Sequence, residues 1–294
     1  MTSVGFIGLG LMGKPMAKRI LAHGFSLNVY NRSRGPVDEL AALGAWAGSS
    51  PRDVAERSEI VITMLPDEPQ VRQVVLGADG VVEGLGRGGV LVDMSTISPF
   101  TVRELAAKLD EKGVEMLDAP VSGSTMAAEA GSLTIMVGGS REVYERVLPV
   151  FRTMGKTIVY MGGSGMGAFT KLCNQILVAV NLLATCEALM MASKAGLDLM
   201  KVIEVVGSGA AGSWQLTNLG PKIVARDFRP GFKVEHLKKD LRILRDVAER
   251  LGLPLFGANI VSELVKTCDG MGHGFDGTQS LITLYEQLAG HRLG

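Results

Sequence analysis

Residues 2–24, TSVGFIGLGLMGKPMAKRILAHG, decide the fold of this chain. A short apolar run over 2–7 passes straight into Gly8-Leu9-Gly10-Leu11-Met12-Gly13, and a helical pattern follows from Lys14 to Ala22 until His23-Gly24 stops it. In G-x-G-x-x-G the first glycine permits a tight turn, the second lets the backbone approach a pyrophosphate, and the third lets the helix pack on the strand. The unpaired N–H groups of the helix start then face the phosphates. Set between a first strand and a first helix, the motif assigns Gly8, Gly10, Leu11, Met12 and Gly13 to a dinucleotide. The opening run is apolar but has no basic region before it, so it reads as a strand and not as a secretory signal.

Outward from this motif, the next strand, 26–30, ends in Asn31-Arg32-Ser33-Arg34. An NAD site usually places an acid at the end of that strand for the ribose 2′-hydroxyl, whereas an arginine suits a 2′-phosphate. Arg32 with Ser33 offers a bidentate charged donor and a hydroxyl beside Asn31, so NADP is the preferred cofactor, with NAD possible. Further strands, over 59–65, 90–94 and 114–117, alternate with helical patterns over 51–57, 69–76 and 99–112. That rhythm implies a doubly wound, mostly parallel sheet. Its turns, Leu65-Pro66-Asp67, Ser95-Thr96 and Pro120 to Ser124, follow the strands, where open α/β sheets bind ligands. Strands over 133–137 and 157–160 and a helix near 141–154 complete an N-terminal Rossmann domain, 1–163.

The remainder, 164–294, reads as all-α, with helical segments over 200–207, 214–224, 233–251, 254–271 and 279–289. It opens on Gly165 to Ala195, GMGAFTKLCNQILVAVNLLATCEALMMASKA, a long apolar helix without internal proline that joins the two domains. A helix apolar nearly all round must be covered on most faces, by its own domain or by another subunit. Lys171, Asn174 and Gln175 stand at i, i+3 and i+4 and share one face of its first turns. Such a face can hold a substrate oxygen; equally, Lys171 could snorkel to water from a half-buried helix.

Composition narrows the partners. Lys plus Arg and Asp plus Glu are 30 each, which leaves no net field to gather nucleic acid or an anionic membrane. Aromatics are 5%, too few for a base-stacking surface. No run of 18 or more apolar residues free of charged or polar breaks marks a membrane span. Cys173, Cys186 and Cys268 form no C-x-x-C pair, and an odd, scattered set suits a reducing, cytoplasmic setting. His23, His236, His273 and His291 have no metal-ligand spacing, so no metal is expected. No P-loop and no G-x-S-x-G elbow occurs.

Four blocks, in order, carry a resemblance that spans essentially the whole chain: VGFIGLGLMGKPMAKRIL at 4–21, LDAPVSGSTMAAEAGSLTIMVGG at 117–139, GAFTKLCNQILVAVN at 167–181 and HLKKDLRIL at 236–244. The chain resembles the β-hydroxyacid dehydrogenases, which include 3-hydroxyisobutyrate dehydrogenase and tartronate semialdehyde reductase (2-hydroxy-3-oxopropionate reductase). The wording around Lys171-x-x-Asn174-Gln175 and the C-terminal YEQLAG look closest to the tartronate semialdehyde reductase branch. The resemblance implies that Lys171 is the catalytic acid/base and that Asn174, with Gln175 beside it, holds the substrate. Ser122 and Gly123 would bind its carboxylate, Thr96 would lie by the nicotinamide, and Lys239 with Asp240 would close the site. It also implies a homodimer or homotetramer. Ser124 and Ala127 replace two glycines of the family pattern and would narrow or re-polarise the pocket. Arg32 departs from the acid common in NAD-using members.

The expected activity is hydride transfer between NADP(H) and a small carboxylated aldehyde or β-hydroxy acid. A lysine with a reference pKa of about 10.4 is protonated at neutral pH and can neutralise the alkoxide that forms. Two other readings stay open: an imine reductase, which shares the architecture but typically lacks the lysine at 171, and a catalytically idle NADP-binding module, expected to lose Lys171 or Asn174. Of the adjacent lysines, Lys239 is taken as the inward one and Lys238 as solvated, with His236 a packing or surface residue.

Overall fold

The computed structural model describes residues 2–293 and divides into two compact units, one ending at Lys171 and the other starting at Leu172. In the first, the strands are β1 (Ser3–Ile7), β2 (Ser26–Tyr30), β3 (Trp46–Ala47), β4 (Ile60–Thr63), β5 (Val90–Asp93), β6 (Glu115–Asp118), β7 (Val121–Ser122), β8 (Leu133–Gly139) and β9 (Gly155–Gly162). They form one sheet in the order β3-β2-β1-β4-β5-β6-β8-β7, with β9 paired to β8. The pairing is parallel except where β8 meets β6 and β7.

The interior strands read as near-continuous apolar runs because helices cover both faces of the sheet. Side chains alternate between two cores. Phe6, Ile62 and Val92 join Met16, Ile20 and Phe151 on one face, while Ile7, Val61 and Leu91 join Val71, Leu105 and Leu109 on the other. The chain leaves β1 for β2 on one side and returns to β4 on the other, so the carboxyl ends of β1 and β4 flank the crevice where such sheets bind ligands.

The mostly parallel, doubly wound architecture is the one expected, with additions. Strands β3 and β7 and the helices Gly35–Ala41, Val81–Gly84 and Thr125–Ala130 are too short to leave a periodic signal. In the loop after Pro120, where a plain turn was expected, β7 forms and pairs antiparallel with β8.

The second unit is helical. Besides the long helix it holds Leu199–Gly207, Gly220–Val224, Val234–Arg250, Phe256–Cys268 and Leu281–Ala289, and a bridge between Lys233 and Gly277 is an isolated β-contact. Asp198 caps the helix Leu199–Gly207 by accepting from Met200 N and Lys201 N at 3.0 and 3.2 Å.

The long helix runs Met166–Lys194. Leu172, Ala179, Leu182, Cys186 and Leu189 make its buried stripe, and Cys173, Leu177, Ala184, Ala188 and Met191 an exposed one opposite. The helix is therefore apolar on faces that this chain itself does not cover. By length and composition alone it is apolar enough to cross a membrane, which qualifies the sequence reading: its polar residues break the apolar run but are too few to lower its average.

Candidate active site

The glycine loop fits a dinucleotide by space. Gly8 has φ +99°, and a Cβ there would run into the carbonyl oxygen of Met64 at the end of β4. A Cβ on Gly13 would run into the carbonyl oxygen of Gly8, so the helix Gly13–Ala22 can only begin this close to β1 without one. At Gly10, by contrast, a Cβ would meet no protein atom within 4 Å, as expected where a ligand's phosphates lie against bare backbone. Leu11 is exposed and Met12 half-buried beside it.

Asn31 binds the end of β2 to this loop. Its Oδ1 accepts from Leu9 N at 3.0 Å, and its Nδ2 donates to Ser33 Oγ at 2.8 Å and Ser33 O at 3.0 Å. Arg32 and Ser33 are exposed beyond it, while Arg34 is engaged with Asp38 at 2.8 Å. Of the two arginines, Arg32 is the one not drawn into that helical pair.

Loops after β4 and β5 are locked together by a buried acid that sequence reasoning missed. Asp93 Oδ1 accepts from Thr63 Oγ1 and from Ser95 Oγ, both at 2.7 Å, and Ser95 Oγ in turn accepts from Leu65 N at 2.9 Å. Leu65 is tied directly to this network, with Pro66 next to it in the chain and Thr96 next to Ser95. On the neighbouring strand Asp118 is the register partner of Asp93, 2% exposed. Its Oδ1 accepts from Gly165 N at 2.9 Å and its Oδ2 from Ala168 N at 2.8 Å. Burial pushes this carboxyl up to about 6, with the charge of Asp93 adding to the rise against the two N–H donors.

Ser122 ends β7, and Gly123 follows with φ +140°. Ser124 occupies the N-cap position of the helix Thr125–Ala130, yet its hydroxyl makes no capping hydrogen bond. Ala127 lies one turn further, packed on the core, where a Cβ on Gly123 would come within 3.0 Å of it. Ala127 thus fills space beneath Gly123, while Ser124 keeps a hydroxyl uncommitted to the helix. Lys171 is 8% exposed, in the first turns of the long helix.

In the second unit, Asn174 Nδ2 donates to Gln175 Oε1 at 2.8 Å, and Gln175 Nε2 donates to Asp240 Oδ2 at 2.6 Å. Lys239 Nζ lies 2.8 Å from Asp240 Oδ1. Four of the expected residues are thereby joined in one polar chain, with Gln175 and Asp240 fully inside it. The side chain of Lys239 is 15% exposed, whereas Lys238 turns outward to pair with Asp269. His236 packs on the Phe232 ring at 6.1 Å between centroids, and burial holds its imidazole below the usual range. Among the described residues no group of three or more His, Cys, Asp or Glu could hold a metal ion.

Asp93 and Asp118 were the residues to find, and each closes an apolar strand run, VLVD and EMLD, at its carboxyl end. That repeated ending was the available signal.

Comparison with known proteins bears on the family and the fold. Residues 3–162 match the family described as the NAD binding domain of 6-phosphogluconate dehydrogenase. Residues 165–285 match the one described as NAD-binding of NADP-dependent 3-hydroxyisobutyrate dehydrogenase. The chain is 42% identical over 291 residues to 2-hydroxy-3-oxopropionate reductase of Escherichia coli (strain K12), covering 99% of each. Among solved structures it is similar to 3-hydroxyisobutyrate dehydrogenase from Salmonella typhimurium (TM-score 0.87, 31% identity, 97% of this chain and 100% of that one). It is similar also to Mycobacterium tuberculosis 3-hydroxyisobutyrate dehydrogenase with L-serine (TM-score 0.89, 28% identity, 97% and 99%).

Proposed function

Since the chain belongs to the β-hydroxyacid dehydrogenase family and is an NAD(P)-dependent oxidoreductase, we propose that it interconverts a small carboxylated aldehyde and its hydroxy acid with NADP(H), using Lys171 as acid/base. The observation that carries this reading is Lys171 itself, a buried lysine one helical turn before Asn174. A buried lysine without a task is rare, because its charge loses hydration. Identity to the Escherichia coli protein makes 2-hydroxy-3-oxopropionate the first aldehyde to test.

Gly8, Gly10, Gly13, Asn31, Arg32, Ser33, Leu65, Pro66 and Thr96 are the residues proposed to hold the cofactor, which when bound supplies or takes up the hydride. Exposed Arg32 with Ser33 supports the 2′-phosphate form over NAD. As the carbonyl carbon gains hydride, the electron pair of the C=O bond moves to oxygen. The Lys171 ammonium stabilises that oxygen and protonates it, then regains a proton from solvent. In the reverse direction the neutral amine takes the hydroxyl proton. Ser122, the N–H of Gly123, Asn174 and Gln175 are assigned to the carboxylate and hydroxyl groups of the substrate, with Ser124 adding a hydroxyl that favours a polar one. Lys239 and Asp240 are assigned to the substrate and cofactor, Asp240 keeping both Lys239 and Gln175 in place. The exposed apolar stripe of the long helix supports a homo-oligomer.

The test follows NADPH and, separately, NADH oxidation with 2-hydroxy-3-oxopropionate, methylmalonic, succinic and glyoxylic aldehydes, for the parent and Lys171→Ala. Faster turnover with NADPH, lost in the variant, is the expected result. A preference for NADH removes the 2′-phosphate reading. Turnover indifferent to Lys171 removes the mechanism and directs attention to cyclic imines.

A further inference from the structure

The long helix starts against a buried carboxylate from another part of the chain. Gly165 precedes its first residue, Met166, and Gly165 N and Ala168 N both donate to Asp118, at 2.9 and 2.8 Å. An N-cap is ordinarily a local Ser, Thr, Asp or Asn. Here the sequence around 162–166, GGSGM, offers Ser164 alone, and its carbonyl accepts from Arg103 Nε at 3.1 Å. The cap is instead supplied by the last residue of β6, so the helix is fixed to the sheet and not only to its own preceding turn.

The fit around Asp118 is close on all sides. A Cβ on Gly138 of β8 would come within 2.5 Å of Asp118 Oδ1, and one on Gly167 within 3.0 Å of Asp118 Oδ2. Both positions must lack a side chain for the carboxylate to sit between strand and helix. Ala168 and Lys171 are three residues apart and share a helix face, with a rise of about 4.5 Å between them. A slip or fraying of the first turn therefore moves the lysine nitrogen by a comparable amount, and misplacement of about 1 Å can cost about a hundredfold in rate.

We propose that Asp118 is the positioning residue of Lys171: its carboxylate clamps the first turn of the long helix to the sheet and so fixes where the ammonium meets the substrate oxygen. This rests on the reading of Lys171 as acid/base. The charged group that acts on Asp118 is Asp93 on β5; Arg103, on the helix Pro99–Asp110, lies by Ser164 and Gly165 at the start of the clamped helix, and Lys171 stands one turn further along that helix. The clamp needs both oxygens as acceptors. A proton on one of them, taken up as the pH falls through about 6, removes an acceptor from one N–H.

The test uses the whole protein and three variants, Asp118→Asn, Gly138→Ala and Lys171→Ala. Asn keeps the shape but turns an amide N–H₂ toward one donor; Ala at 138 crowds both the carboxylate and the backbone N of Gly167 without changing any charge. For both, kcat is expected to fall about tenfold or more, with the affinity for NADPH, read by fluorescence titration, within twofold of the parent. Amide hydrogen exchange at 165–171 is expected to speed up while that of β1, β4 and β5 does not. The loss of kcat below pH 6 in the parent should be absent in Asp118→Asn. Parent-like kcat with accelerated exchange at the helix start overturns the link to Lys171. Unchanged exchange overturns the clamp, and a parallel fall of kcat, NADPH affinity and folded fraction reduces Asp118 to a folding role. Should Lys171→Ala retain activity, the lysine mechanism fails on its own account, while the exchange data still decide the clamp.

Discussion

At the scale of single residues the site separates into groups with chemistry and groups that hold them. Lys171→Ala should lower kcat/KM about 10²–10⁴-fold, the usual worth of a general acid or base, with NADPH affinity little changed in a direct titration. Arg32→Ala should raise the KM for NADPH about 10–100-fold, as for loss of charged hydrogen bonds worth about 1.5–3 kcal/mol, and leave that for NADH nearly alone. Ser124→Gly should reorder the aldehydes by about fivefold in kcat/KM, one hydrogen bond's worth, at constant cofactor KM; an unchanged ranking would detach Ser124 from the substrate. Lys171, Asn174, Gln175, Arg32 and the glycines stand out in the sequence as candidates because each carries a local pattern: a helical spacing, a strand end, a motif. Asp93 and Asp118 do not. An acid ending a strand reads as an ordinary turn residue, and only the order β4-β5-β6 puts these two side by side under separate loops.

At the scale of elements, stability and pH dependence diverge. Asp118 holds its proton more tightly in the folded protein, at about 6, than an aspartate does at its ordinary value of 3.8. Between these values the native state binds the extra proton, so this group makes stability fall as pH rises from about 4 to about 6, by about 2–3 kcal/mol, and adds nothing further above that. Urea midpoints across this range should therefore vary less with pH in Asp118→Asn than in the parent. In the second unit Leu182, 1% exposed, anchors the buried stripe of the long helix; Leu182→Ala should cost about 2–5 kcal/mol, read as a lowered thermal midpoint. Long elements were legible from the sequence because several periods of burial accumulate in them. The two-residue strands β3 and β7 and the short helices were not, since four to seven residues fix no period. The end of the compact first unit at Lys171 has a physical origin too: Gly165 and Ala168 belong to the sheet's hydrogen bonding through Asp118.

At the scale of the whole molecule, the doubly wound domain was legible because a glycine motif, alternating strands and helices, and buried parallel strands all require one another. The expectation that copies associate rests on an apolar excess on one helix, and no intramolecular rule says what covers it. Leu177, 63% exposed, and Met191, 78%, lie on that uncovered stripe. Leu177→Asp with Met191→Asp should shift the protein to a smaller species in light scattering after size exclusion; a parent that is already monomeric would remove the homo-oligomer reading. The three thiols give this question a built-in clock. Cys186 and Cys268 are buried, and burial raises both thiols above the usual range, whereas Cys173 is exposed on the stripe, two residues from Lys171. A maleimide dye should therefore attach at one place without any engineering, and its rate of attachment at rising protein concentration becomes a stopwatch for how long that stripe stays uncovered.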